Sequence, residues 1–278
     1  MNRSYLFIPA SNAGMILSSM ILETDAIIFD LEDGVALNQK EAARTLLRNG
    51  LDTLDFLDKD IYVRVNAADT VFFKEDVLLC QHPKVHGIVL PKADMTSFLS
   101  LTKTLQPMKP TILLIESALG VVQLPQLCQA SPHVIGLLLG GEDLSADFGV
   151  ERTKEGHEID LARKLVVLHA KAFNLIAIDT PYVDIEDHQG LKKEVRYAAS
   201  LGYDAKVAIN PRQVESIHQA LQVDPKKIEE ALSIVNAFEM NITQGIGVFN
   251  LNGKMIDEPI YRKAKQVVIK AKKEGHQT

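Results

Sequence analysis

The sequence predicts an α/β fold, a (β/α)₈ TIM barrel with additional C-terminal helices, and three observations support this prediction. The length of 278 residues is the usual size of a single (β/α)₈ domain, although length alone also allows two domains. Eight short, almost continuously apolar runs recur along the chain, as expected for parallel strands buried on both faces. Amphipathic stretches of helical period lie between these runs, and the alternation of strand and helix indicates βαβ units.

The eight apolar runs define the predicted strands in chain order. They are residues 5–8, 26–29, 61–65, 87–90, 111–115, 134–139, 175–178 and 206–209. Because there are eight of them, a closed barrel is favoured over an open sheet. The clearest helical stretches between them are residues 40–51, 161–173 and 190–202.

Two further helices are predicted after the eighth strand, and they indicate a domain boundary between the barrel and a C-terminal extension. The first begins at Asp224-Pro225, an N-cap followed by proline at the first helical position. The second follows a predicted loop over residues 245–259 and ends the chain. We therefore assign residues 1–222 to a catalytic barrel domain. Residues 223–278 are assigned to a helical extension that acts as a lid and contributes to the active site.

Composition excludes several classes of protein. The net charge is −6 and the charged residues are interspersed, so the dense basic patch of a nucleic-acid binder is not expected. No apolar run reaches the roughly 18 residues needed to span a bilayer, and the first residues do not form a signal peptide. Cys80 and Cys128 are predicted to be buried, reduced thiols. These observations predict a cytoplasmic protein without a membrane partner.

Polar residues directly follow most of the predicted strands. Charged side chains are almost never fully buried unless they are paired or bind a metal. In a (β/α)₈ barrel the C-terminal strand ends converge on the face that carries the active site. The sequence therefore predicts one ring of site residues: Glu32, Asp33, Arg64, Lys92, Glu116, Asp143, Asp179 and Asn210.

Some members of this ring have simpler explanations. Asn210-Pro211 has the pattern of an N-cap followed by the first helical position, and Asp33-Gly34 is a common turn pair. Arg64 could pair only with an acid of the Asp-Leu-Glu-Asp segment, residues 30–33. Glu116 is harder to explain this way, because a buried carboxylate at the end of an apolar strand needs a cation.

Glu116 and Asp143 are the predicted metal ligands. They follow neighbouring strands, and no histidine or cysteine with metal-ligand spacing accompanies them. Carboxylates alone favour a hard divalent ion, usually Mg²⁺, which is held by one or two carboxylates together with water and substrate.

Nine motifs give the chain a resemblance to a known family. They are RSYLFIPAS (3–11), FDLEDGV (29–35), VRVN (63–66), LPK (90–92), IESALGV (115–121), GGEDLSADFG (140–149), AIDTPYVDI (177–185), AINPRQV (208–214) and LNGKMIDEP (251–259). Taken in this order, they resemble the citrate lyase β-subunit family. That family includes citramalyl-CoA and malyl-CoA lyases and belongs to a wider group with 4-hydroxy-2-oxo-acid aldolases.

The resemblance implies roles for individual residues. Arg64 would bind the carboxylate end of the substrate, Glu116 and Asp143 would ligate Mg²⁺, and Asp257 would be a catalytic acid/base. The C-terminal segment would bring Asp257 over the barrel mouth, often from a neighbouring subunit of a homotrimer or hexamer. The residues predicted to bind substrate are Phe7, Glu32, Asp33, Arg64, Lys92, Glu116 and Asn210.

The implied activity is magnesium-dependent carbon–carbon cleavage of a 3-hydroxy acyl thioester of the citryl-CoA or citramalyl-CoA type. The products would be an acetyl thioester and a 2-oxo acid such as oxaloacetate or pyruvate. Residues 12–20 lack the lysines with which acyl-CoA lyases of this group hold CoA phosphates. The thioester could therefore be carried either by free CoA or by an acyl-carrier protein, as in citrate lyase β subunits. Two further alternatives are a class II aldolase acting on a hydroxy-oxo acid without a thioester, and a non-catalytic subunit that binds a carrier protein.

Overall fold

Eight parallel strands close into a barrel in the computed structural model, which describes residues 2–273. The strands are β1 (Ser4–Pro9), β2 (Ala26–Asp30), β3 (Asp60–Arg64), β4 (Gly87–Leu90), β5 (Thr111–Ile115), β6 (Val134–Leu139), β7 (Ile176–Asp179) and β8 (Ala205–Ala208). Each strand pairs with the next one in sequence, and β8 pairs in parallel with β1. The predicted TIM barrel is confirmed, because each predicted strand overlaps one of these eight.

Helices on the outside of the barrel connect successive strands. They are α1 (Ala13–Ser18), α2 (Lys40–Thr53), α3 (Phe73–Leu79), α4 (Met95–Thr104), α5 (Ala118–Val122), α6 (Leu124–Gln129), α7 (Gly141–Asp147), α8 (Asp160–Ala172) and α9 (His188–Leu201), with α10 (Arg212–Leu221) after β8. Three of them, α2, α8 and α9, match the predicted helical stretches. The short helices α5, α6 and α7 carry too few turns for their period to be read from the sequence.

The side chains inside the barrel follow the two-residue period of its strands. Ile28 of β2, Tyr62 of β3 and Leu114 of β5 belong to one buried apolar cluster, together with Tyr5 and Val207. Successive side chains of a strand point to opposite faces, so residues two positions further along each strand face the same interior. This alternation decides which residues at the strand ends face the barrel mouth and which face the helices.

The described part of the chain forms two compact units, which meet in sequence between residues 220 and 221. The second unit contains α11 (Pro225–Ile242), an antiparallel hairpin of β9 (Phe249–Leu251) and β10 (Lys254–Ile256), and α12 (Glu258–Lys273). Asp224 accepts a hydrogen bond from the backbone N–H of Lys226, which confirms the predicted N-cap.

The predicted loop over residues 245–259 is wrong in part, because it contains this hairpin. Asn252 and Gly253 form the turn between β9 and β10, with φ values of 51° and 82°. An Asn-Gly pair between two short strands is the sequence signature of such a turn, and it was missed. Whether the second unit acts as a lid stays a prediction.

Two expectations from composition can be compared with the described part of the chain. Cys80 and Cys128 are both buried and free, as predicted. Over residues 2–273, no helix has the combination of length and apolarity required to cross a bilayer.

Candidate active site

A cavity of about 300 Å³ opens at the C-terminal ends of the barrel strands. Its lining includes Asp30, Arg64, Glu116, Gly140 and Ile209. Each of these residues stands two positions beyond a residue of the apolar cluster inside the barrel. Because of the two-residue strand period, all five face the mouth of the barrel. The cavity therefore lies directly above the apolar interior of the barrel.

Arg64, the last residue of β3, is held by two acids from the segment after β2. Its Nε and Nη2 donate to the two carboxylate oxygens of Asp30 at 2.8 and 2.7 Å, and Nη1 lies 3.1 Å from Oε2 of Glu32. The guanidinium also lies 4.7 Å from the ring centre of Phe7. Burial alone would lower the pKa of Arg64, but the carboxylates of Asp30 and Glu32 outweigh it and raise the pKa. Arg64 is therefore a fixed cation at the mouth.

Asp30 organises the loop that carries the other acids. Its two oxygens accept hydrogen bonds from the backbone N–H groups of Glu32 and Gly34, both at 2.8 Å. Gly34 is required here, because a Cβ at this position would collide with the Asp30 carboxylate. On the other side of the loop, the buried Lys40 donates from Nζ to the carbonyl oxygens of Leu31 and Glu32 at 2.8 and 2.6 Å. The loop is thus fixed from both sides.

Glu32 and Asp33 have different environments within this loop. Asp33 is exposed in a turn that is closed by a 2.9 Å hydrogen bond from the N–H of Val35 to the carbonyl of Glu32, as its pairing with Gly34 predicted. Glu32 is buried, and burial raises the pKa of its carboxyl. Its Oε1 lies 3.4 Å from Nζ of the exposed Lys92. Within residues 2–273, neither carboxylate oxygen of Glu32 has a hydrogen-bond partner.

Glu116 follows β5 and lines the cavity, with 3% of its surface exposed. Its Oε1 accepts a hydrogen bond from the backbone N–H of Lys92 at 2.5 Å. Burial, and after it the negative charges of Glu32 and Asp143, raise the pKa of Glu116 to about 8. A carboxyl group in such surroundings is a strong candidate for binding a cation, because the cation would remove the cost of ionising it.

Asp143 lies in the first turn of α7, just after β6, and is exposed to the same cavity as Glu116. The start of α7 is fixed by a 2.9 Å hydrogen bond from the N–H of Gly141 to Oγ1 of Thr180. Among residues 2–273 no three Asp, Glu, His or Cys side chains form a metal cluster. A pair of carboxylates facing one cavity fits Mg²⁺, which takes its other ligands from water and substrate.

Five of the eight predicted ring members are absent from the cavity lining: Glu32, Asp33, Lys92, Asp179 and Asn210. Glu32 and Lys92 lie close to lining residues, since Glu32 contacts Arg64 and the backbone of Lys92 binds Glu116. Asp179, at the end of β7, is fully buried on the outer side of the barrel, where it binds Nε of Arg163 at 2.8 Å and Nζ of Lys206 at 2.7 Å. Asn210 accepts a 3.0 Å hydrogen bond from the N–H of Arg212 at the start of α10, which is the capping role its sequence pattern also predicted.

Asp257 lies in the second compact unit, between β10 and α12. Its Oδ1 accepts a 3.1 Å hydrogen bond from the N–H of Ile260, so it caps α12. Its predicted catalytic role stays a prediction.

Gly140 and Ile209 line the cavity and were missed as site residues, and Asp30 was predicted only as part of the acidic segment 30–33, with no role of its own. They can be identified from the two-residue alternation of side-chain direction along each strand. Counting in steps of two from a buried interior residue leads past the end of the strand to the residue that faces the cavity. The same count excludes Asp179, because its neighbour Ile178 is the interior residue. The position of a charged residue at a strand end, without this parity, does not distinguish Asp179 from the residues that face the cavity.

Comparison with known proteins agrees with the geometry. Residues 3–211 match the HpcH/HpaI aldolase/citrate lyase family, and the chain belongs to this family. Citrate lyase subunit beta of Haemophilus influenzae is 36% identical and covers 98% of this chain and 97% of its own length. Human mitochondrial citramalyl-CoA lyase is 33% identical, with 96% and 84% covered.

A solved structure gives the same result for the fold. The crystal structure of the CitE protein from Mycobacterium tuberculosis in complex with magnesium, acetoacetate and coenzyme A superposes with a TM-score of 0.81, at 31% identity and with 97% of each chain covered. The family predicted from the motifs is confirmed, and the chain is a lyase of this family.

Proposed function

We propose that the protein is a magnesium-dependent carbon–carbon lyase that cleaves a 3-hydroxy acyl thioester into an acetyl thioester and a 2-oxo acid. The observation that carries this proposal is the cavity itself, in which the Glu116 and Asp143 carboxylates share one space with the fixed cation of Arg64. The complex of the M. tuberculosis relative with magnesium, acetoacetate and coenzyme A supports the metal and the class of ligand.

Glu116 and Asp143 would hold the Mg²⁺ ion. When bound, Mg²⁺ supplies Lewis-acid stabilisation of negative charge on the hydroxyl and carboxylate oxygens of a substrate. The hydrogen bond from the backbone of Lys92 keeps one oxygen of Glu116 directed. Glu32, whose oxygens lack hydrogen-bond partners among the described residues, is placed to accept hydrogen bonds from water or substrate near Arg64 and Lys92.

Arg64 would bind the substrate carboxylate. A guanidinium has five N–H donors in one plane, and Asp30 uses one on Nε and one on Nη2. Glu32 lies beside Nη1, which leaves donors on Nη1 and Nη2 for the carboxylate. Phe7 packs against the face of the guanidinium and keeps its plane fixed, so the carboxylate is oriented as well as attracted.

The proposed reaction is a retro-Claisen cleavage. The bond between C2 and C3 breaks as the C3 hydroxyl loses its proton to water and C3 becomes the carbonyl carbon of the 2-oxo acid. The bonding electron pair passes to C2, which gives the enolate of the thioester. This enolate takes up one proton at C2 and becomes the acetyl thioester. We assign that proton delivery to Asp257, from the same or a neighbouring subunit of a homotrimer or hexamer.

The group that carries the thioester has two candidates. Free CoA is supported by the coenzyme A bound to the M. tuberculosis relative. An acyl-carrier protein is supported by the relatives named citrate lyase subunit beta and by the absence of lysine from residues 12–20. In either case the cleavage chemistry at the cavity is the same.

The decisive experiment incubates the protein with Mg²⁺ and citryl-CoA, citramalyl-CoA or malyl-CoA, and follows the free 2-oxo acid. Glu116→Ala should abolish metal-dependent turnover while the circular dichroism spectrum stays that of the wild type. Turnover at the wild-type rate in this variant would rule out the metal assignment. If all three CoA esters are inert and the same acyl groups on a carrier protein are cleaved, the carrier protein is the correct choice.

A further inference from the structure

A further acid, Glu142, lines the cavity together with the two carboxylates assigned to the metal. It directly precedes Asp143 in the first turn of α7, and Glu116 belongs to the same lining. Octahedral Mg²⁺ accepts carboxylate ligands of this kind. Yet among residues 2–273 these three acids do not form a cluster that could hold a metal, so Glu142 stands apart from the other two.

Arg152, in the segment between α7 and α8, is the cation beside Glu142. Its Nη1 donates to Oε1 of Glu158 at 2.8 Å, and its Nη2 lies 3.6 Å from Oε2 of Glu194. Its Nε lies 3.5 Å from Oε1 of Glu142. This Nε is buried and has no hydrogen-bond partner in the part of the chain that the structure describes. Glu142 is therefore the acid that Nε is available to bind.

The other two acids fix the guanidinium of Arg152. The side chains of Glu158 and Glu194 are only 11% and 7% exposed, whereas that of Glu142 is 47% exposed. Glu158 accepts hydrogen bonds from the N–H and the hydroxyl of Thr153 at 3.1 and 2.7 Å, and Glu194 pairs with the buried Lys206. The guanidinium thus has a fixed place, and Glu142 is the one of its three acids with freedom to move.

Gly141 allows this approach to the start of α7. A Cβ at this position would lie 3.4 Å from Nε of Arg152 and 2.7 Å from Oγ1 of Thr180. Thr180 holds the backbone of the turn through the N–H of Gly141, and Arg152 pairs with the side chain of Glu142. Gly141 and Glu142 are thus held by other residues, while Asp143 of the same turn lines the cavity.

We propose that Arg152 is a positioning residue that holds Glu142 off the metal and keeps the Mg²⁺ site at two carboxylate ligands. Two carboxylates balance the charge of the ion and leave coordination positions open for the oxygens of a substrate. A third carboxylate would occupy one of these positions and make the complex anionic, which weakens both substrate binding and Lewis-acid stabilisation. The inference rests on the proposed function for the ion, and it assigns the control of the ion's coordination.

The number of waters on the bound ion tests this inference without turnover. Mn²⁺ is used as the probe in place of Mg²⁺, and the relaxation of water protons counts the exchangeable waters on it. Arg152→Met, which removes the charge and keeps an unbranched side chain, should lose about one water relative to the wild type. An unchanged water count would overturn the inference.

Calorimetric titrations of the same variant measure the consequence for binding. Arg152→Met should bind Mg²⁺ about tenfold more tightly, because the released Glu142 brings a further negative charge to the ion. The Mg²⁺-loaded variant should bind pyruvate roughly tenfold more weakly than the loaded wild type, because the third carboxylate occupies a position that the 2-oxo acid needs. Weaker Mg²⁺ binding, the result expected if Arg152 only supports the fold of α7, would overturn the inference.

Two double variants separate ligation by Glu142 from a general change of charge. Glu142→Gln in the Arg152→Met background should restore the water count and the pyruvate affinity of the wild type. Glu158→Gln in the same background restores the same net charge, but Glu158 does not line the cavity, so the water count should stay low. Equal recovery in the two double variants would show that long-range charge is the cause, and would overturn the inference.

Glu142→Gln with Arg152 in place decides the question should Arg152→Met fail to fold. Since Glu142 is held off the ion in the wild type, this variant should keep the water count on Mn²⁺ and bind Mg²⁺ with nearly the wild-type affinity. A gain of one water together with weaker Mg²⁺ binding would show that Glu142 already ligates the ion, and would overturn the inference.

Thioester cleavage distinguishes this inference from the proposed function. The expected water counts without cleavage of any thioester, on CoA or on a carrier protein, would support the inference and overturn the lyase proposal. Cleavage by the wild type, with a water count that Arg152→Met leaves unchanged, would support the lyase proposal and overturn the inference. A wild type that binds neither Mg²⁺ nor Mn²⁺ would overturn both.

Discussion

Gly140 lies directly against Glu116. A Cβ atom at Gly140 would be 2.7 Å from the Cβ of Glu116 and 2.9 Å from its Oε2. The two residues are the first positions after the neighbouring strands β6 and β5, and both face the barrel mouth. Since φ of Gly140 is −99°, glycine is needed here for the close approach and not for its backbone conformation. Gly140 makes the space that the Glu116 carboxylate occupies.

Replacing this glycine should therefore displace the metal ligand. Gly140→Ala is expected to weaken Mg²⁺ binding by roughly 10- to 100-fold, the usual effect of disturbing the support of a ligand. Overpacking should also cost about 1–3 kcal/mol of stability. Calorimetric titration with Mg²⁺ measures the first effect and urea denaturation the second. Gly247→Ala is the control for metal binding, because its added Cβ would meet nothing within 4 Å. Unchanged Mg²⁺ affinity in Gly140→Ala would contradict the packing argument.

Mg²⁺ affinity should increase with pH. Without metal, burial and neighbouring acids raise the pKa of Glu116 from 4.5 to about 8, so the carboxyl must lose a proton when the metal binds. Affinity should rise about tenfold per pH unit below pH 8 and level off above it. Titrations in two buffers of different ionisation enthalpy count the proton released. Glu116→Gln should bind Mg²⁺ weakly and without this dependence, and a flat profile in the wild type would contradict the prediction.

The raised pKa of Glu116 predicts the opposite pH dependence for the stability of the metal-free protein: stability should fall as the pH rises, whereas Mg²⁺ affinity should increase. Between pH 4.5 and about 8 the folded chain holds more protons at Glu116 than the unfolded chain does. Its contribution to the free energy of unfolding must therefore fall as the pH rises through this range. Comparing urea denaturation of the wild type and Glu116→Gln, both in a metal chelator, isolates this contribution.

Asp30 and Arg64 should behave as one unit. Both are largely buried, and Asp30 accepts four hydrogen bonds from Arg64 and the following loop. Asp30→Ala should cost about 3–5 kcal/mol, since it removes both hydrogen bonds of the buried Arg64 to Asp30 and leaves it only the ion pair with Glu32. Arg64→Met should cost less in the Asp30→Ala background than alone, with a coupling of about 1 kcal/mol or more. Additive effects in urea denaturation would show that the two side chains act independently.

Asp179 should matter for stability and not for the reaction. It is fully buried between the cations of Arg163 and Lys206, so Asp179→Ala should lower the free energy of unfolding by about 3–5 kcal/mol. Its side chain does not line the cavity, and the KM and kcat of the folded fraction should stay close to those of the wild type. Glu230→Ala, which removes an exposed ion pair with Lys254, is the control and should change stability little. A large loss of kcat in Asp179→Ala would return Asp179 to the site.

The barrel could be predicted from the sequence because a strand buried on both faces is apolar at almost every position. That signal is local, and it was sufficient for all eight strands. The β9–β10 hairpin was missed because its strands have three residues each and lie in an exposed, mixed sequence. The Asn252-Gly253 turn pair is the one sequence signal that predicts this hairpin.

The site was predicted less completely than the fold. Glu116, Asp143 and Arg64 were found because charge at the end of an apolar strand is conspicuous. Asp179 has the same local pattern, yet its side chain points outward to the helices. Successive residues of a strand point to opposite faces, and its neighbour Ile178 points into the barrel. Gly140 could not be identified by residue type at all, because its role depends on the side chain of a neighbouring strand.

The fixed guanidinium of Arg64 has a consequence for stereochemistry. Asp30 and Phe7 leave it one free edge, so a bound carboxylate can point in only one direction. If the hydroxyl lies toward Glu116 and Asp143, the remaining substituent toward Leu138 and the thioester arm toward the open mouth, the four groups on C3 have four different places. The mirror-image substrate cannot fill all four at once. We expect the protein to be enantioselective at C3, with handedness that follows from the rigid Asp30–Arg64 pair.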